Sequence, residues 1–69
     1  MQSLEIGRGM RLRVAMKKKR MTQAKLAEVT GISMPSINNY VNDRYDIPLS
    51  YAVKIADALG VSLDYLARA

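Results

Sequence analysis

The stretch "TQAKLAEVTGISMPSINNYVN", residues 22–42, decides how this chain is read. Leu26 and Ala27 make an apolar face in the segment that follows Thr22, and Ile37 with Tyr40 or Val41 makes another in the segment that follows Ser33. Thr22 and Ser33 are both good N-caps, and Gly31 stands where a left-handed residue closes a helix. The spacing predicts two short helices, over residues 22–30 and 33–42, joined through a glycine turn. Lys25 takes the place where a capping box would put Glu or Gln, and a lysine has no acceptor for the Thr22 amide. Pro35 is the apparent objection to the second helix, because it has no amide to donate. With Ser33 as the cap, however, Pro35 falls in the first turn, where amides have no intrahelical partner in any case. The proline costs that helix little.

Working outward, three more helical patterns appear, over residues 9–19, 49–59 and 62–67. The first carries a competing strand signal, since "MRLRVAM" alternates apolar and polar residues and Gly7 and Gly9 are poor helix formers. Helix is preferred there, because Leu12, Ala15, Met16 and Lys19 share one face and the run "KKKR" suits a helix C-terminus. "DRYDIPLS" reads as a loop leading to Pro48 at the start of the fourth helix. Leu49, Ala52, Val53, Ala56 and Leu59 then recur at helical offsets as one apolar face, closed by Gly60. Ser62 caps the last short helix, with Leu63 and Leu66 placed to close the core. The expectation is an all-α, compact five-helix domain over residues 1–69, with residues 1–7 as a disordered arm.

Composition narrows the function. A chain of 69 residues, 49% hydrophobic, holds one domain and is near the lower size at which a core is sufficient without staples. There is no Cys and no His, which removes disulfides, thiolate metal sites, the usual zinc ligand and the usual general base. Few carboxylates are available, so no set of nucleophile, base and orienter is visible and an enzyme is not expected. No metal and no cofactor is expected either. No apolar run reaches the length of a membrane span, and the first ten residues contain no signal-like apolar region. The net charge is +5, and it is uneven. Residues 1–35 carry eight Lys and Arg against Glu5 and Glu28, whereas residues 36–69 carry a small acidic excess. Such asymmetry suits a polyanionic partner, either nucleic acid or an anionic membrane surface. The membrane surface is disfavoured, because every helix needs its apolar face for the core.

Two short helices joined by a glycine turn on a small basic helical domain form the pattern that enters the DNA major groove. The segments "MTQAKLAEVTGIS", "SINNYVN" and "KIADALGVSLDYL" closely resemble the DNA-binding domains of the phage Cro and lambda-repressor family, the XRE-type helix-turn-helix family. The resemblance covers about residues 8–67. It implies five helices, the second and third forming the helix-turn-helix, and a homodimer on a palindromic operator of double-stranded DNA in the cytoplasm.

Carried onto this sequence, the resemblance gives Gln23 a phosphate contact at the amino end of the second helix, where free amides also favour an anion. Ser33, Met34, Pro35, Ser36, Asn38 and Asn39 correspond to base-reading positions, and Asn42 to a phosphate-contacting asparagine. Asn39 is the best direct reader, because an asparagine amide can pair with the major-groove edge of adenine, and Asn38 is next. Met34 and Pro35 offer shape and apolar contact, which suits thymine methyl groups and an A·T-rich stretch. Arg44 is placed either on a phosphate or in a loop pair with Asp43 or Asp46. The cations Arg8, Arg11, Arg13, Lys17, Lys18, Lys19 and Arg20 are read mostly as a solvated face that attracts DNA at long range, with none singled out as a specific contact. Many family members place an Arg of the first helix against a Glu near the end of the third; here Met16 and Val41 stand at those places, an exchange that is often neutral or stabilising. Tyr45, Pro48, Tyr65 and Leu66 are the expected dimer surface. The leading expectation is a Cro-like repressor without a second domain. The alternative is an antitoxin-type interaction module that regulates its own gene, for which little additional chain is present.

Overall fold

The computed structural model describes residues 8–67, so the arm expected at residues 1–7 lies outside the described residues. Five helices follow one another: α1 Arg8–Lys19, α2 Gln23–Thr30, α3 Met34–Val41, α4 Leu49–Leu59 and α5 Leu63–Ala67. Among the described residues there is no strand, and the alternation in "MRLRVAM" is overridden. Leu12, Ala15 and Met16 of α1 are buried together on one face, which only a helix permits. Lys19 ends that face in the open, its ammonium beside Gly60 at the C-terminus of α4, where the macrodipole favours a cation.

Local chemistry sets the helix ends. Thr22 Oγ1 accepts the Lys25 amide at 3.0 Å, so the lysine that spoils a reciprocal capping box still supplies the donor the cap needs. Ser33 Oγ accepts the Ser36 amide at 3.3 Å, which places Pro35 inside the first turn of α3. Gly31 ends α2 with φ +76°, a left-handed conformation open to glycine at little cost. The end of α3 uses the same geometry without a glycine. Asp43 has φ +57°, its amide donates to Tyr40 O at 3.1 Å, and the Arg44 amide donates to Asn39 O at 2.9 Å. That pair of bonds is a Schellman turn, and it folds the chain after α3 back over the helix.

Each helix gives the centre of the core one large side chain with no more than 1% exposure: Leu12, Leu26, Ile37, Ile55 and Leu66. Burial of each contributes about 1.5–3 kcal/mol, so loss of any one is a substantial fraction of the stability of so small a domain. Ile32, Tyr40, Val41, Ala56 and Leu59 pack around them, and the Tyr40 ring meets Tyr51 edge-on with centroids 6.4 Å apart.

Two sequence expectations are corrected here. Leu66 does not belong to a dimer surface, because at 1% exposure it is enclosed by its own fold. The inner face of α4 is also rotated from the expected stripe. Ala52, Ile55, Ala56 and Leu59 are buried, whereas Leu49 and Val53 stay 70% and 42% exposed. At about 100° per residue, Ile55 lies on one flank of Ala52 and Leu49 and Val53 on the other, so a period of three and four admits either choice. Contact with the other helices decides for Ile55.

The N-terminus of α1 is driven hard against the C-terminus of α3. The Gly9 amide donates to Asp43 Oδ1 at 2.9 Å, and a Cβ at Gly9 would lie 2.5 Å from Val41 O and 2.7 Å from Asp43 Oδ2. Glycine is therefore needed at residue 9 for close approach, although its propensity disfavours a helix. Propensity alone would have Gly9→Ala stabilise the domain by about 1 kcal/mol. The contact reverses the sign: urea unfolding should show Gly9→Ala to be destabilised by about 1–3 kcal/mol, and a gain in stability would contradict this packing.

Candidate nucleic-acid interface

With Ile37, Tyr40 and Val41 turned inward, the rest of α3 forms an outer face. Met34 is 49% exposed, Ser33, Pro35 and Asn42 are exposed, and Ser36, Asn38 and Asn39 are half-buried. Ser33 and Ser36 are partly used by the helix itself, since the Ser33 hydroxyl donates to Ser36 Oγ at 2.9 Å while capping. Met34 and Pro35 thus form an apolar tip on the leading turn, with the two asparagines one turn behind.

The N-terminus of α2 is brought beside this face. Gln23 Oε1 accepts from Asn38 Nδ2 at 3.3 Å, across the turn between the two helices. Thr22 caps the Lys25 amide, which leaves the Gln23 and Ala24 amides at the first turn without intrahelical acceptors. Those donors and the positive end of the helix dipole are suited to an anion. The sequence-predicted residues Gln23, Asn38, Asn39, Asn42 and Arg44 therefore belong to one connected surface.

Arg44 joins it from the loop. Its Nη1 donates to Asn38 Oδ1 and to Asn39 Oδ1, each at 3.2 Å. Asp43, one of the acidic partners considered for it, instead accepts the Gly9 amide through Oδ1. Asn42 is the C-cap of α3, and its Nδ2 donates to Asn38 O at 2.8 Å.

Arg13 acts in a way that charge counting did not reveal. Its Nη2 donates to Asn42 Oδ1 at 2.7 Å and its Nε to Val41 O at 3.3 Å, so a cation from α1 rests on the C-terminus of α3. Met16 and Val41 are both buried, at 7% and 6% exposure. A second polar tie between α1 and α3, besides the Gly9 amide on Asp43, therefore runs from Arg13 to the end of α3. Arg13 and Lys17 also border a cleft with Gln23, Asn38 and Asn42, which gives the groove between α1 and α3 a cationic wall. The signal in the sequence was only spacing, with Arg13 one turn before Met16.

The expected dimer residues divide. Tyr45 is 67% exposed and Pro48 is exposed, next to the uncovered Leu49. Tyr65 is half-buried, its ring covered on one side by the Arg11 guanidinium at 5.2 Å from the centroid. Among the described residues, no group of His, Cys, Asp or Glu could hold a metal ion, and no helix is long and apolar enough to cross a membrane.

The Helix-turn-helix family profile matches residues 12–66, most of the chain. The chain belongs to that family, of the Cro and lambda-repressor-like, XRE type, and it is a DNA-binding transcriptional regulator. Among solved structures it is similar to the restriction-modification controller protein C.AhdI from Aeromonas hydrophila. The two are 25% identical, with a TM-score of 0.80 over 86% of this chain and 89% of that one. No curated protein matches the chain.

The tie between α1 and α3 has a measurable consequence. Arg13→Ala removes a charge-assisted bond to Asn42 and a cation from the end of α3. Amide hydrogen exchange should then quicken by about three- to tenfold in the last turn of α3, the effect of a loss near 1 kcal/mol, while α4 changes less. Equal protection of α3 in the two proteins would contradict the tie.

Proposed function

We propose that the protein is a sequence-specific repressor that binds a palindromic operator as a symmetric homodimer in the cytoplasm, with α3 in the major groove. The observation that carries this reading is the single surface made by the outer face of α3 and the open N-terminus of α2. A phosphate at that N-terminus fixes the depth and angle at which α3 meets the base edges. Gln23 and the Gln23 and Ala24 amides take one phosphate, and Asn42 and Arg44 take another near the opposite end of α3. Asn39 is the principal base reader. Met34 and Pro35, at the exposed tip, press on thymine methyl groups, with Ser33 and Ser36 beside them.

The second copy is assigned to the exposed apolar side chains of Tyr45, Pro48 and Leu49, with the half-buried Tyr65 of α5 as a further candidate. Large apolar side chains this exposed favour a partner, and two copies of one patch satisfy each other about a two-fold axis. Such a dimer presents its two α3 helices to half-sites about 34 Å apart, one helical turn of DNA, and occupancy alone then excludes polymerase. The likeness to a restriction-modification controller protein supports regulation of transcription as the role.

A salt titration tests the reading. Against its preferred palindrome, log K should fall with log salt with a slope of several units, as expected if about six to ten phosphates are contacted, and random DNA should bind more weakly by a factor of about a thousand or more. Equal affinity for all sequences would sink the repressor reading. Within the site, Asn39→Ala should cost about 1–3 kcal/mol and relax base choice at one position, whereas Gln23→Ala should weaken every sequence alike. An unchanged specificity ratio in Asn39→Ala would remove Asn39 as the reader.

A further inference from the structure

A side-chain amide has two ends of opposite character, an oxygen that accepts and an NH2 that donates. Which end faces DNA decides what Gln23 and Asn39 can bind, because a phosphate only accepts and each base edge offers its own pattern. In this structure the orientations of three amides are coupled. A guanidinium has donors and no acceptor, so the Arg44 Nη1 that lies 3.2 Å from both Asn38 Oδ1 and Asn39 Oδ1 admits only their oxygen ends. Asn38 is left with Nδ2, which donates to Gln23 Oε1 at 3.3 Å. Gln23 is left in turn with Nε2, a donor beside the open amides of α2. Asn39 Nδ2 has no partner among the described residues and is its free end.

We propose that Arg44 is a positioning residue for DNA recognition, which sets Asn39 directly and Gln23 through Asn38 so that both offer NH2 groups to DNA. The proposal rests on the DNA-binding reading above. Arg44 reaches this place because the Schellman turn at Asp43 ties its backbone amide to Asn39 O and returns the chain over α3. Asn38 is spent within the relay and reads no base. Asn39 leads with a donor, so the base it meets carries an acceptor in the major groove: N7 or O6 of guanine, N7 of adenine or O4 of thymine. Cytosine, whose groove edge offers an amino donor, is the disfavoured partner. The Nε and Nη2 of Arg44 remain for a phosphate, so the two roles share one side chain.

The test has one arm without DNA and one with it, both on the full chain. In the first, NMR follows the side-chain NH2 resonances of Gln23, Asn38 and Asn39. Arg44→Ala should move all three, including Gln23, which Arg44 does not touch, and Asn38→Ala should move Gln23 in the same sense. Backbone resonances of α4 and α5 check that the fold is kept, as expected for an exposed residue. Gln23 resonances indifferent to Arg44→Ala would overturn the relay. In the second arm, the probe is a palindromic duplex selected by the wild-type protein from a random pool. Arg44→Ala should lower the preference for the selected base opposite Asn39 by about tenfold, and adding Gln23→Ala should cost less than it does in the wild type. A uniform loss on every sequence with base preference intact would leave Arg44 a phosphate contact only and overturn the proposal. If the wild-type protein selects no sequence at all, the DNA reading fails, and the arm without DNA tells that failure from a failure of the relay.

Discussion

An eight-residue helix cannot sustain itself in water, and α3 is such a helix. On the proposed reading, what the protein offers to DNA depends on how α3 is held. Three inward side chains, Ile37, Tyr40 and Val41, tie it to the core from below. Its leading end is closed by Ser33 and its trailing end by the left-handed Asp43. The N-terminus of α1 then locks the trailing end, with Gly9 against Val41 O and the Asp43 carboxylate, and Arg13 on Asn42. The constraint is mutual: Asp43 caps α1 while α1 fixes the turn that ends α3.

This arrangement releases the outer face of α3 from structural duty. Because capping and packing are done by Ser33, Asp43 and the inward residues, the tip of Met34 and Pro35 and the amide of Asn39 can be chosen for what they touch. Pro35 is tolerated because it stands where no amide is required, inside the first turn. The cations concentrated in the first half of the chain are not equivalent in this light. Arg13 is committed to α3 and Lys19 lies at the end of α4.

Much of the fold is legible in the sequence because punctuation residues mark it. Thr22, Gly31, Ser33, Pro48 and Gly60 each act through local geometry, and the helices end within a residue of where these place them. What depends on neighbours distant in the chain was not legible. Period alone could not choose between Ile55 and the pair Leu49 and Val53, since both lie within reach of the same face. Leu66 could be read as surface or core until α1 was seen to pack on α5. Gly9 looked like a weakness in α1 because the carbonyl it must approach is 32 residues away in sequence at Val41. The site divides in the same way. Residue types and the family pattern indicate α3 and Gln23, whereas the bonds from Arg13 to Asn42 and from Arg44 to the asparagines arise only when loops and helices meet.

In the proposed complex, DNA meets the outer face of α3 and the open end of α2 together. Backbone amide shifts, followed as a selected palindromic duplex is added to the labelled protein, test it most directly. Large changes are expected at Gln23 and Ala24 and from Ser33 to Arg44, with those of the inner turns of α4 small. Changes concentrated on α4 and α5, with Gln23 and α3 unmoved, would contradict it.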